Sequence, residues 1–457
     1  MSTVDRNRLA ELHARERAAF TAARPRSRDL AQRAAAHMPG GVPMSWMVKW
    51  PGDFPLFVEH AEGAHFTCVD GIDHVDLCLG DTGAMMGHSP APTVEAVKRQ
   101  LSRGITTMLP TEDAIAVSTG LAERFGLPYW QFTLTATDAN RHAIRYARHL
   151  TGRSKVVVHN WCYHGSVDEA FATLGPDGST VNRRSNIGAP VDTSETTRVV
   201  EFNDLDALER ALAHGDVAAI LVEPALTNIG IVLPDPGYNE GVRELATRYG
   251  ALLINDETHT ICAGPGGYTA AHGLEPDMLV IGKSIGGGIP CGTFGFSQDI
   301  ADRIARSIEL EDIDVGGIGG TLAGNGLSMA AMKATLEQVM TADAFEHMVP
   351  LADAWADGVQ AGIEAVGADW HVTRLGARAE YNFSARPSHN GQEAHDADDF
   401  ELQQYLHLYA LNRGILLTPF HNMALMSPAT TAADVEAHTT MFKECLHELF
   451  GDDAAEG

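Results

Sequence analysis

The stretch MLVIGKSIGGGIPCGTFGF, residues 278–296, sets one lysine, Lys283, at the end of an apolar run and follows it with a glycine cluster. Three kinds of chemistry use such a stretch. A phosphate-cradling loop of the form G-x-x-x-x-G-K-[ST] needs its first glycine at position 277, which is Asp277, and a carboxylate there would face the phosphates. The substring Gly282-Lys283-Ser284-Ile285-Gly286 satisfies G-x-S-x-G, the strand-to-helix elbow of serine hydrolases. Its serine is followed by Gly286, Gly287, Gly288 and Pro290, however, and these are poor helix formers. The third use is an amine nucleophile: a lysine partly desolvated by apolar neighbours can lose its proton and form a Schiff base with a carbonyl or with pyridoxal phosphate (PLP). Glycines beside it would let backbone and cofactor approach closely. A surface lysine that happens to flank a strand is the plain alternative.

Outward from this stretch, residues 110 to 300 alternate short β-rich runs with helical stretches. Strands are expected at 130–134, 154–158, 198–201, 218–222, 251–255, 278–281 and 293–296, and several are continuously apolar, as strands covered by helices on both faces are. On the N-terminal side, residues 5 to 38 read as one or two charged amphipathic helices ending at Pro39-Gly40-Gly41, and 55 to 80 as a small antiparallel sheet. On the C-terminal side, 326 to 365 is helical and 366 to 457 a second α+β unit with strands near 379–384 and 415–418.

A PLP lysine needs a carboxylate beside the ring nitrogen to keep that nitrogen protonated. LLINDETHT supplies one: Asp256 directly follows an apolar strand and lies 27 residues before Lys283, room for one connection and the next strand. Both would then sit at carboxyl ends of adjacent strands, the edge where open α/β sheets bind ligands. Taken singly, Asp256 is equally a turn or capping aspartate. A phosphate would want a helix start with hydroxyls, and FTLTATDANRHAIRYARHLTG offers Thr135, Ala136 and Thr137 before a helix capped by Thr137 or Asp138. Tyr163, in HNWCYHGS, could stack on a pyridine ring or be a packed loop aromatic.

Composition excludes several partners. The chain has 457 residues, 44% hydrophobic and 20% charged, as soluble globular proteins do. Acidic residues outnumber basic ones by 60 to 33, a net charge of -27, which disfavours nucleic acid and anionic membrane. The six cysteines are dispersed without zinc or redox spacing, and His389, His395 and Asp396 to Asp399 read as a solvated polar loop, so no metal is indicated. The N-terminus lacks an apolar signal core and no run of 18 apolar residues occurs, from which a cytoplasmic location is expected.

In this order the pieces resemble the class III aminotransferases of PLP fold type I, the family that includes glutamate-1-semialdehyde aminomutase and the β-phenylalanine and amine transaminases. LLINDETHT and DMLVIGKSIGGGIPCGTFG carry the resemblance most specifically, backed by VVVHNWCYHG, LVEPALTNIG and GGTLAGNGLSMAA, and it runs from about residue 28 to 450. It implies an α/β fold: a large PLP-binding domain (66–330) with a mostly parallel seven-stranded sheet between helices, and a small α+β domain from residues 1–65 and 331–457. It makes Lys283 the Schiff-base lysine and proton shuttle, Asp256 the pyridinium partner and Tyr163 the stacking ring, with His164 beside it. Glu223 matches the glutamate near the cofactor's edge, and Thr135, Ala136 and Thr137 the phosphate loop, with alanine replacing the usual glycine. Thr321 matches a threonine that reaches the phosphate of a neighbouring subunit, implying a homodimer with shared active sites; the VGGIGG loop at 315–320 would belong to that shared site.

Two positions depart from the family pattern. Where the β-amino-acid branch carries carboxylate-binding arginines, this chain has GGVPMSWMVKW and LLTPFHNMALMSP, with Trp46, Trp50, Phe420 and His421. Neither a methionine nor a phenylalanine replaces a bidentate arginine. Arg378 could take over, being placed by alternation on the same strand face as Glu380, or could simply pair with that glutamate. These substitutions, and the resemblance of TPFHNM to transaminases of long-chain amines, favour an aminotransferase that moves an amino group from a hydrophobic amine, or an amino acid, to a keto acid such as pyruvate. It would work by ping-pong through pyridoxamine phosphate. The alternative is an aminomutase of the glutamate-1-semialdehyde type, which shares every cofactor residue and returns the nitrogen to the same molecule.

Overall fold

The computed structural model describes residues 4–307 and 317–451. Val315 and Gly316 of the VGGIGG loop lie outside the described residues. The chain divides into two compact units, one made of 1–89, 343–387 and 397–457, the other of 90–342 and 388–396.

The larger unit is built on a seven-stranded sheet in the order Tyr129–Thr133, Gly292–Phe296, Met278–Gly282, Leu252–Asp256, Val217–Val222, Lys155–His159, Thr197–Val200. Each is one of the seven expected strands, displaced by at most one residue at either end. Gly292–Phe296 runs antiparallel to both its neighbours, and the other pairings are parallel. The continuous apolar runs are buried throughout: Val156 to Val158, Ala218 to Leu221, Ile254, Met278 and Val280 are all 0% exposed. Strands this dry on both faces require helical cover, and the helix Ala136–Thr151 gives it by burying Ala139, Ala143 and Ala147 against the sheet.

That helix starts earlier than its sequence suggests. Thr135, in extended conformation, is the N-cap, its Oγ1 accepting the Asp138 amide at 3.2 Å, so Thr137 and Asp138 lie inside the first turn. The capping hydroxyl goes to the residue whose backbone is still extended, and the Asp138 carboxylate then sits where the helix dipole favours an anion.

The smaller unit contains the sheet Val58–Glu62, His65–Cys68, Asp73–Asp76 and Ile415–Leu416, the first three antiparallel in sequence and the last joined in parallel to Asp73–Asp76. The expected boundary at 65/66 falls inside the strand His65–Cys68, whereas the compact units divide between Ser89 and Pro90. A second sheet pairs His371–Leu375, Arg378–Asn382 and Met423–Leu425. The N-terminal segment forms two helices, Arg6–Ala23 and Pro25–Ala34, parted where Pro25 takes the first helical position.

Residues 388–396 return to the larger unit. His395 stacks on Trp161 with centroids 3.8 Å apart, and His389 Nε2 meets Asp235 at 2.8 Å. What reads as a solvated loop is thus fastened at both ends.

Candidate active site

The sheet brings the residues together by a common device: each functional side chain sits at or just past the carboxyl end of its strand. Thr135 follows Tyr129–Thr133, Tyr163 and His164 follow Lys155–His159, and Glu223 follows Val217–Val222. Asp256 ends Leu252–Asp256 opposite Val280, and Lys283 comes directly after Met278–Gly282. Because Tyr129–Thr133 and Met278–Gly282 are both antiparallel to the strand between them, these five ends share one edge.

Asp256 is the electrostatic centre. It is 4% exposed, accepts from Asn140 Nδ2 at 2.8 Å and from the Thr258 amide at 3.1 Å, and meets His164 Nδ1 at 2.9 Å. Burial alone would raise its pKa, but the hydrogen bond and charge of His164, with Thr258 and Asn140, hold it below the ordinary carboxylate value. Burial works in the opposite sense on His164, stripping its charge; Cys162 and Asp256 outweigh that and raise its pKa to about 10. Glu223, buried beside them, is pushed up by desolvation and braced by the Thr227 amide at 3.0 Å and the Tyr163 amide at 3.2 Å. Asn140 also donates to the His164 carbonyl at 3.2 Å, tying the helix to the loop that carries Tyr163.

Lys283 has φ +55°, in the left-handed region where a side chain is strained, and its Nζ lies 2.8 Å from His259 Nε2. Around it backbone is packed against backbone. A Cβ on Gly282 would land 3.0 Å from the Ala136 nitrogen, one on Gly292 2.5 Å from the Thr135 carbonyl oxygen, and one on Gly165 2.1 Å from Thr137 Oγ1. Gly165 also holds φ +77°, so this approach of loop to helix start admits glycine alone.

These residues fit PLP. The first amides of the helix, at Ala136 and Thr137, have no carbonyl of a preceding turn to meet, and Thr135 and Thr137 stand with them as hydroxyls, a donor set suited to a phosphate. A buried carboxylate kept ionised suits a protonated ring nitrogen, and Lys283 would supply the amine.

Tyr163 is 38% exposed. Thr321 lies on an exposed turn, and Gly317 and Gly319 of the adjoining loop are held by Arg145 Nη1 at 2.7 Å and His142 Nε2 at 3.3 Å. In the smaller unit, Trp46, Trp50 and Phe420 form an aromatic group, Trp46 lying 6.4 Å from Trp50 and 5.9 Å from Phe420 between centroids, and Lys49 Nζ stands 5.7 Å above the Phe420 ring. Arg378 is 1% exposed and donates to Glu380 Oε2 at 2.9 Å, while His421 Nδ1 meets Glu380 Oε1 at 3.1 Å. Two residues that sequence reasoning does not single out belong to the site: Asn140 and His259. A faint sign of the first was available, since Asn140 interrupts the apolar face between Ala136 and Ile144 at i+4 spacing.

A lysine, a buried carboxylate with its histidine, and a hydroxyl-lined helix start, all at one edge of this sheet, define a PLP-dependent enzyme of fold type I. Within that class the chain belongs to the class-III aminotransferases, whose family model matches residues 47–446. It is similar to a glutamate-1-semialdehyde aminomutase from Pseudomonas aeruginosa PAO1, 51% identical with a TM-score of 0.96 over 98% of this chain and 99% of that one, solved also as a lysine-to-alanine variant in complex with PMP. A glutamate-1-semialdehyde 2,1-aminomutase from Nitratidesulfovibrio vulgaris is 34% identical over 90% of this chain and 96% of its own. A β-phenylalanine aminotransferase from Variovorax paradoxus is 28% identical, with a TM-score of 0.84 over 96% of each chain.

These findings correct one expectation. Transfer from a hydrophobic amine to a keto acid such as pyruvate is contradicted, because the more identical relatives are aminomutases and the transaminase stands further off. The inference failed because two missing arginines say which side chains are absent, not where else a cation stands. Lys49, over Phe420, is such a cation in the same aromatic group.

Proposed function

We propose that this enzyme is a glutamate-1-semialdehyde 2,1-aminomutase, moving the amino group from carbon 2 to carbon 1 of one substrate to give 5-amino-4-oxopentanoate. The observation that carries the reading is the 51% identity and TM-score of 0.96 with the Pseudomonas aeruginosa aminomutase over 98% of the chain.

When bound, PLP supplies an electron sink next to the reacting carbon and a carrier for the nitrogen. Asp256, held ionised by His164 and Asn140, keeps the proton on the ring nitrogen. Lys283 carries protons to and from the substrate carbons, which an intramolecular shift demands twice, once at each carbon. Tyr163 offers a ring face, Glu223 braces the loop that bears it, and Thr135 and Thr137 with the amides at Ala136 and Thr137 hold the phosphate.

The working form in this reading is a cytoplasmic homodimer in which Thr321 reaches the partner's phosphate. Leu101, Ile105, Met108, Leu109 and Ile115 support it: all five are exposed, Met108 at 78% and Leu109 at 72%, within fifteen residues of one segment. An apolar run so exposed marks an interface. No helix among the described residues is long and apolar enough to cross a membrane.

The deciding experiment gives purified enzyme glutamate-1-semialdehyde alone, with no added amine or keto acid, and follows 5-amino-4-oxopentanoate by mass spectrometry. Many turnovers are expected; a reaction that stops at one equivalent until a keto acid is supplied would sink the proposal.

A further inference from the structure

We propose that His259 is the positioning partner of Lys283 and the group that receives its proton as the amine becomes nucleophilic; this deepens the reading above and rests on Lys283 being the cofactor-bearing amine.

The argument starts from the 2.8 Å contact between Lys283 Nζ and His259 Nε2. An ammonium has only donors, and so has an imidazolium. The two groups can therefore stand at hydrogen-bond distance only when at least one of them is neutral, and a single proton is shared along the line between them. With lysine charged, Nζ–H donates to Nε2. Moving the proton breaks that N–H bond, forms Nε2–H, and leaves the electron pair on Nζ, with nothing oxidised or reduced. The product is an uncharged amine beside an imidazolium, the state a nucleophilic lysine needs.

Backbone conformation points the same way. Lys283 occupies the left-handed region at φ +55°, which a lysine takes up only where its surroundings fix it. His259 sits three residues beyond Asp256 in the half-buried bend after that strand. One segment thus supplies both the carboxylate for the ring nitrogen and the partner for the amine.

The other charged groups of the adjoining elements have partners of their own. Asp256 is bound to His164 and Asn140, Glu257 to Thr260 Oγ1 at 2.5 Å and the Tyr268 amide at 3.0 Å, and Glu223 to Thr227. On the helix Ala136–Thr151, Asp138 takes the Thr135 hydroxyl at 3.1 Å and Arg141 lies 3.6 Å from Asp168; on the helix Gly326–Gln338, Lys333 pairs with Glu337 at 3.0 Å. His259 is a titratable side chain at hydrogen-bond distance from the amine.

The test uses apoprotein and reads covalent capture rather than turnover. Wild type, His259→Gln and His259→Ala are mixed with PLP between pH 6 and 10 and quenched with borohydride, and the Lys283 peptide is quantified by mass spectrometry. Glutamine keeps a hydrogen-bond acceptor but cannot titrate. The wild-type capture rate should show a pH inflection that His259→Gln lacks, with His259→Gln slower at pH 7 by about a hundredfold, the low end of what a positioned proton acceptor contributes. His259→Ala should be slower still; if it does not fold, the glutamine variant decides alone. Superimposable profiles for wild type and His259→Gln would overturn the proposal. Failure to capture PLP on Lys283 in the wild type would instead remove the reading beneath it.

Discussion

At the scale of single residues, the buried pair Asp256 and His164 makes a pH-dependent demand on the fold. The histidine's pKa is raised to about 10, so its contribution to stability is complete below its unfolded value near 6.5 and is lost as pH rises through about 10. Asp256 is depressed, so its contribution is present above the ordinary carboxylate range and lost as pH falls through its folded value. His164→Asn keeps a donor and abolishes the titration. Between pH 6.5 and 10 the urea midpoint of the wild type should fall toward that of the variant, closing a gap of a few kcal/mol; parallel lines would mean the histidine is not charged in the fold. Lys283 and Asp256 are legible in the sequence because each ends an unmistakable apolar strand. Asn140 and His259 are not, because a polar residue in a helix or a bend carries no mark of its partner until the chain is folded.

Among elements, strand Arg378–Asn382 shows what alternation can and cannot say. It correctly puts Arg378 and Glu380 on one face, and the fold uses that face for a buried ion pair, with His421 as third member. Burial works against the Glu380 charge, and His421 and Arg378 together depress its pKa. Removing one partner from such a group leaves an uncompensated buried charge. Arg378→Leu should therefore lower stability by about 3–5 kcal/mol in denaturant melts, while the folded fraction keeps its KM for substrate. A raised KM with unchanged stability would place the arginine on the substrate instead. The seven strands of the large sheet were readable because burial on both faces leaves continuous apolar runs. The cap at Thr135 was not, since Thr135, Thr137 and Asp138 of TATD can each cap a helix and only backbone conformation chooses among them.

For the whole molecule, the exposed apolar segment from Leu101 to Ile115 carries the prediction. Met108→Glu with Leu109→Glu puts two charges into the proposed subunit contact and should convert the proposed dimer into monomers in sedimentation experiments, with activity falling at least about tenfold if the sites are shared between subunits. An unchanged sedimentation coefficient would remove this segment from the interface. Strand pairing across the chain was the least legible feature. A boundary near residue 65 follows from a change of pattern in the sequence, but the N-terminal sheet takes its fourth strand from Ile415–Leu416, and no local signal announces a pairing across the length of the chain.

That pairing has a consequence for biosynthesis. Val75 and Leu77 donate their amides to the carbonyls of Gly414 and Leu416 at 2.8 and 3.0 Å. On a ribosome adding about 5–20 residues per second, the roughly 340 residues between these strands take on the order of 20 to 70 s to appear. Throughout that interval the nascent chain lacks the strand that pairs with Asp73–Asp76, and that edge is a template for strands of other chains. Its safe passage depends on what shelters that edge during translation, so the yield of soluble protein should respond to chaperone supply and to slower synthesis at low temperature.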